Sequence, residues 1–273
     1  MPVSRPVEIG REVLARLAPP EPADDATKHD RGTALVVGGS EETPGAVLLA
    51  GLAALRAGAG RLQIAVDGPT EALGVAVPEA RVSRLGPQTA AMAGEGAAAL
   101  FGPGILEADG IAPVLDAATS AMNDGVLVVD AGALAVVGRH PEWIRRLEGR
   151  AVLVPNADEV ELLGVAHAGA AAERFGAVVA VRGAVTEIAT PAGDRYVDRH
   201  GCVGLATSGS GDVASGVVVG LLARGASPLG AAVWAVAIHG RSGELLGSPG
   251  FLARELLDVI PAAVRELSGS APA

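Results

Sequence analysis

From residue 33 onward, short and mostly apolar runs alternate with longer stretches rich in Ala and Gly. The runs at 33–37, 61–66, 97–101, 126–129, 151–154 and 177–181 are too short for helices and carry β-branched residues, which predicts strands. Most of them lack a polar alternate. A strand that is apolar on both faces belongs in a sheet covered on both sides. Residues 45–60 and 109–122 predict helices between them. Two runs, 185–189 and 195–198, flank a turn at 192–194 and predict a hairpin at the sheet edge. Helices at 212–223, 228–246 and 251–267 follow, with a Gly-Ser-Pro-Gly break at 247–250. Strand–helix alternation implies parallel pairing through right-handed crossovers. The expected fold class is α/β: a three-layer α/β/α sandwich, mostly parallel, with an antiparallel edge. Residues 1–30 predict an N-terminal arm, exposed and linker-like at its Pro-rich acidic stretch 18–25, and 31–273 a single domain.

Composition sharpens this picture. Aromatic residues make up 2% of the chain and glycines number 38, so Ala, Val, Leu and Gly must fill the core and backbones must approach closely. The net charge of −10 argues against general nucleic-acid or anionic-membrane binding, which need a basic face. An anionic small molecule remains possible, held by backbone amides at helix N-termini. Cys202 is the only cysteine. That excludes an internal disulfide and a Cys-based zinc site, and suits a reducing compartment. The first residues lack an apolar core of signal-peptide type, and no run reaches the roughly 18 apolar residues of a membrane span. A cytoplasmic location is expected. Lys28 is the only lysine, which excludes a Walker-type loop and a Schiff-base lysine in the interior.

In a sheet of this kind ligands bind beyond the carboxyl ends of the strands. Those ends carry Gly38-Gly39-Ser40, Gly102-Pro103-Gly104, Asp130, Asn156 with Glu159, Arg182-Gly183, and a loop from Ser208 to Asp212. Gly209 and Gly211, with Ser210 between them, allow the backbone to fold into an anion-binding nest. The helix that follows aims its first amides and its dipole at the same point. Asp212 is repulsive beside a phosphate unless it accepts the proton of a hydroxyl that attacks that phosphate. Spacing alone serves equally well a reading in which Asp212 caps the helix. Arg182 reads as a solvent-facing arginine at a strand end unless a phosphate or base recruits it. Asn156 and Glu159 have the spacing of a capping box, or of a substrate contact and an acid that helps to hold hydrated Mg²⁺. Asp130 has the same two readings, ligand contact or turn cap. No histidine pair has metal-ligand spacing, and His239 is expected to be a packed helix residue. Ser208 and Ser210 lack the setting of a hydrolase nucleophile.

Taken together, these motifs resemble the ADP-dependent NAD(P)H-hydrate dehydratases of the ribokinase-like superfamily. The matching segments are 32–39 (GTALVVGG) with Gly45-Ala46, 56–60 (RAGAG), Gly102-Pro103-Gly104, Asp130-Ala131, Arg182-Gly183-Ala184-Val185-Thr186, the glycine loop within 204–216, and 250–257 (GFLARELL). The resemblance covers nearly the whole chain from about Lys28. Departures from the family pattern are Asn156 in place of His, Arg182 in place of Lys, and Ser208 in place of Gly. The resemblance implies a ribokinase-like fold and ADP-dependent dehydration of the S epimer of NAD(P)H hydrate, with AMP and phosphate as products. It implies Asp212 as catalytic base, and Ala46, Gly102, Gly104, Asn156 and Asp212 around the hydrate. Arg182, Gly183, Ala184, Val185, Thr186, Gly209, Ser210 and Gly211 would hold the nucleotide, with Mg²⁺ near Glu159. A homo-oligomer, a tetramer by resemblance, is also implied. Residues 1–30 are too short to fold the epimerase domain that precedes this one in some relatives, so dehydratase activity alone is expected. Two alternatives use the same loop: an ATP-dependent small-molecule kinase, and a non-catalytic nucleotide-binding relative.

Overall fold

Aliphatic runs form ten strands, and Ala- and Gly-rich stretches form eleven α-helices, in the described residues (5–95, 98–247 and 249–269) of the computed structural model. In chain order they are β1 (Val7–Glu8), α1 (Arg11–Arg16), β2 (Thr33–Gly38), α2 (Pro44–Arg56), β3 (Arg61–Val66), α3 (Thr70–Ala76) and β4 (Ala80–Arg84). Next come α4 (Gln88–Gly94), β5 (Ala98–Phe101), α5 (Ala108–Ala121), β6 (Val126–Val129), α6 (Gly132–Arg139), α7 (Pro141–Arg145) and β7 (Ala151–Leu153). The chain continues through α8 (Ala168–Phe175), β8 (Val178–Val181), β9 (Thr186–Ala189), β10 (Arg195–Asp198), α9 (Ser210–Ala223), α10 (Pro228–Leu246) and α11 (Ala253–Leu267).

The strands make one sheet in the order β1-β10-β9-β8-β7-β6-β5-β2-β3-β4. Among the described strands only β9 runs against the rest, pairing antiparallel with both β8 and β10. All other pairs are parallel. The two faces divide each strand by its pleat. In β2, Ala34 and Val36 pack under the layer of α2, α9, α10 and α11. Leu35 and Val37 pack under the layer that includes α4, α5, α6 and α8. This is the three-layer α/β/α arrangement, with the antiparallel element at one side.

Small residues decide how α2 and α9 meet. A Cβ on Gly216 would lie 2.3 Å from the carbonyl oxygen of Ala50, and one on Gly220 would lie 2.5 Å from that of Ala54. The two backbones touch, which fixes α9 against the sheet.

Some elements differ from the sequence reading. The first described residues are not free: β1 extends the sheet beside β10, and Ile9, Val13 and Leu14 are buried. Trp234 Nε1 on α10 donates to the Leu14 carbonyl at 3.0 Å. Most of the 18–25 stretch is exposed, as expected of a linker. Strand β4 and helices α3, α4, α6, α7 and α8 carry mixed or short patterns and were not anticipated. Helix α9 begins at Ser210, two residues before the predicted start. Residues 97 and 248, at the ends of a predicted strand and within the predicted break, lie outside the described set, as do 1–4 and 270–273. No helix is long and apolar enough to cross a membrane, among the described residues.

Candidate active site

Strands β6, β7 and β8 end side by side, and the residues that follow them, Asp130, Val154 and Arg182, build one wall of a cavity of about 790 Å³. Asp130 follows β6 and is 1% exposed. Its Oδ1 accepts the N–H of Ala131 at 2.9 Å, so it does cap the turn. The same oxygen accepts a hydrogen bond from Arg182 Nη2 at 2.9 Å. Arg182 Nε donates to the Val154 carbonyl at 3.1 Å. The arginine is therefore not solvent-facing: its side chain is 18% exposed and ion-paired at the cavity wall. Burial beside a carboxylate that follows β6, two strands away across β7, overrides the usual preference of a strand-end arginine for water.

Opposite this wall stands the glycine loop. Gly209 has φ +88°, a left-handed conformation that a side chain would strain, and it precedes the first turn of α9. No side chain caps that turn. The first intrahelical donor is Val213, to the Gly209 carbonyl at 3.2 Å, so the N–H groups of Gly211 and Asp212 lie ahead of the helix ladder. A Cβ on Gly211 would lie 2.6 Å from Arg182 Nη1, so the third guanidinium nitrogen faces the loop. Ser210 Oγ is hydrogen-bonded to His239 Nε2 at 2.8 Å, which places His239 at the cavity as well as in the packing of α10.

Asp212 is the third residue of α9, not its cap. Burial pushes its carboxyl up to about 7; the nearby Asp130 adds to the rise, and Arg182 opposes it. Asn156 Oδ1 accepts the N–H groups of Asp158 and Glu159, each at 2.9 Å. Glu159 Oε2 accepts the Asn156 N–H at 2.8 Å in return. This is the reciprocal capping arrangement. Burial also raises the Glu159 carboxyl above its usual range.

Asn156, Glu159, Arg182, Gly183, Ala184, Thr186, Gly209, Ser210, Gly211 and Asp212 all line the cavity. Ala46, Gly102, Gly104 and Val185 do not. Gly102 and Gly104 belong to a tight turn after β5, which packs against Ala46 in the first turn of α2. A Cβ on Gly104 would lie 2.8 Å from that of Ala46, and one on Gly102 would overlap the Asp130 carbonyl oxygen. Val185 is 38% exposed beside the rim.

The sequence reading did not anticipate a carboxylate–imidazole pair on the cavity wall. Asp198, at the end of β10, is buried and meets His200 Nδ1 at 2.6 Å. That bond holds the imidazole above its usual proton affinity. The sole signal was an acidic residue closing an edge strand. Among the described residues, no group of three or more His, Cys, Asp or Glu could hold a metal ion. Asp130 and Glu159 each give one oxygen to protein donors, which leaves the second oxygen of each for a cation that a nucleotide would carry in.

A family model described as NAD(P)H-hydrate dehydratase matches residues 34–261. The ADP-dependent (S)-NAD(P)H-hydrate dehydratase of Xanthomonas campestris pv. campestris is 40% identical to this chain, over 89% of it and 92% of the relative. The enzyme of that name from Bacillus subtilis is 33% identical, over 92% and 95%. Among solved structures, the Bacillus subtilis ADP/ATP-dependent NAD(P)H-hydrate dehydratase co-crystallised with ATP/Mg²⁺ superposes with a TM-score of 0.80 at 29% identity, covering 98% of this chain and 99% of that one. A ribokinase-like superfamily protein of Enterococcus faecalis superposes at 0.85 with 20% identity, covering 97% of each chain, and speaks for the fold alone. Matched by the family model over 34–261 and by relatives of that name along nearly its whole length, the chain belongs to the NAD(P)H-hydrate dehydratase family, on a ribokinase-like fold.

Proposed function

We propose that this protein restores NAD(P)H from the S epimer of its hydrate in an ADP-dependent reaction. The observation that carries the reading is the pairing of an uncapped glycine nest with Asp212, whose carboxyl titrates at about 7. Such a carboxylate can take a proton at neutral pH. In this reading the nest amides and Arg182 hold the terminal phosphate of ADP. Asp212 accepts the proton of the hydrate hydroxyl as its oxygen attacks that phosphorus, and AMP leaves. Phosphate then departs from the ring with its bonding electron pair. A proton leaves the adjacent ring carbon, and the double bond returns. The products are NAD(P)H, AMP and phosphate, and the proton on Asp212 returns to solvent.

Gly183, Ala184, Val185 and Thr186 are assigned to the nucleotide side. Ala46, Gly102, Gly104 and Asn156 are assigned to the hydrate side. Asn156 offers its Nδ2 group, because its Oδ1 is spent on the turn. Mg²⁺ enters the reading only as a companion of the nucleotide, and no step uses a protein-held metal. A cytoplasmic location, a single catalytic domain over 31–273 and a homotetramer complete the proposal. Neither nucleic acid nor a membrane is among its partners.

The test is incubation with ADP, Mg²⁺ and hydrated NADH, following the absorbance of regenerated cofactor and the AMP formed. Absorbance recovery with stoichiometric AMP is expected. ADP formed from ATP in the presence of an alcohol, with no hydrate turnover, would instead identify a small-molecule kinase. Binding without any product would identify an inactive relative.

A further inference from the structure

We propose that Asp130 is the positioning residue of this site: it aims the Arg182 guanidinium at the glycine loop and sets the charge that Asp212 faces. The inference rests on the phosphoryl-transfer reading above and adds a residue to which that reading gives no part.

Geometry carries it. Guanidinium is a planar fork whose donors cannot turn independently. One edge of the Arg182 fork is fully committed, Nη2 to Asp130 Oδ1 at 2.9 Å and Nε to the Val154 carbonyl at 3.1 Å. Two anchors in one plane fix the direction of the third nitrogen. That nitrogen, Nη1, is the atom a Gly211 Cβ would meet at 2.6 Å. Asp130 is itself immobilised. It is 1% exposed, and its Oδ1 also takes the N–H of Ala131, a non-glycine residue held at φ +46°. Asp130 cannot lose this partner cheaply, since separation would strand its buried charge, whereas Arg182 Nη2 also lies 3.9 Å from Glu159 Oε2. A lysine has no fork. It could neutralise Asp130, but it could not also bond Val154 and present a third donor to the loop.

The same pair bears on Asp212. Asp130 raises the proton affinity of that carboxyl, Arg182 lowers it, and Glu159 adds a smaller rise that is common to all the variants below. Loss of either partner should therefore move the acid limb of the rate profile in opposite directions. A general folding defect would not do this.

The experiment is a double-mutant cycle on the full chain, with ADP as the calorimetric probe and Asp130→Asn, Arg182→Gln and both together as variants. About fivefold or greater loss of ADP affinity is expected in each single variant, with the double no weaker than Arg182→Gln alone, because contacting residues couple. In hydrate turnover, the acid limb of kcat should fall in Asp130→Asn and rise in Arg182→Gln. Asp130→Glu keeps the charge but displaces the oxygen. It should lose ADP affinity while keeping the acid limb, and it replaces Asp130→Asn should that variant not fold. Additive losses in the cycle, or wild-type ADP affinity in Asp130→Asn, would overturn the proposal even in an active enzyme. No turnover by the wild type together with a non-additive binding cycle would sink the dehydratase reading and leave this pairing standing.

Discussion

Ser210 Oγ and His239 Nε2 lie 2.8 Å apart and tie the first residue of α9 to the middle of α10. Burial pushes the His239 ring down to about 4, so at neutral pH it is uncharged and this contact is a neutral hydrogen bond. Ser210→Ala leaves a buried ring nitrogen without its partner. A loss of about 1–3 kcal/mol is expected, read as a lower urea midpoint with an unchanged slope.

Asp212→Asn should abolish hydrate turnover by about 10²-fold or more while leaving ADP-induced thermal stabilisation in place. In the wild type, kcat should rise with pH and level off above about 7, where Asp212 becomes ionised. Turnover of the variant at the wild-type rate would remove Asp212 from the role of base.

The same carboxyl makes a stability prediction. Its folded value, about 7, lies above the ordinary 3.8, so the folded chain holds a proton that the unfolded chain has released. Its contribution is complete below pH 3.8 and is lost as pH rises through 7. His239 acts in the opposite sense: its folded value of about 4 lies below 6.5, so its contribution is lost as pH falls across that window. Asp212→Asn should therefore melt at least about 2 °C higher than the wild type at pH 8. At pH 4 the advantage should vanish. An equal shift at both values would show that Asp212 carries no burial cost.

Gly216→Ala tests the contact between α2 and α9. The added methyl would lie 2.3 Å from the Ala50 carbonyl oxygen, and neither backbone can yield alone. Destabilisation of about 1–3 kcal/mol is expected, measured by chemical denaturation. The change lies in the second turn of α9, so loss of ADP binding should accompany it if the nest shifts.

Asn156→Ala removes the acceptor for two backbone N–H groups. Loss of the cap should cost about 1 kcal/mol. A melt unchanged from the wild type would show that the turn 156–159 holds itself without this side chain.

The central parallel strands, β2, β3 and β5 to β8, were legible because each is a short apolar run buried along nearly its whole length, the pattern of a doubly covered sheet. The glycine loop was legible because Gly209 and Gly211 bracket a turn before an apolar helix. Asp130 and Arg182 were visible as strand ends, but their union was not. They lie 52 residues apart, and nothing local to either one records the other. The cap reading of Asp212 failed because α9 starts two residues earlier than its apolar pattern does. The short helices on the second layer, α4, α6, α7 and α8, escaped because each spans only five to eight residues, too few to establish a repeat in the sequence. Asp198 escaped because its strand was expected at the sheet edge, where a carboxylate ordinarily marks solvent, whereas β1 covers that edge.

Every residue of α9 from Val213 to Leu222 is buried. A rod walled in on all sides has no stroke. The phosphate seat proposed for its tip therefore stands on a walled-in base, while the cavity rim opens to solvent at Val203, 73% exposed.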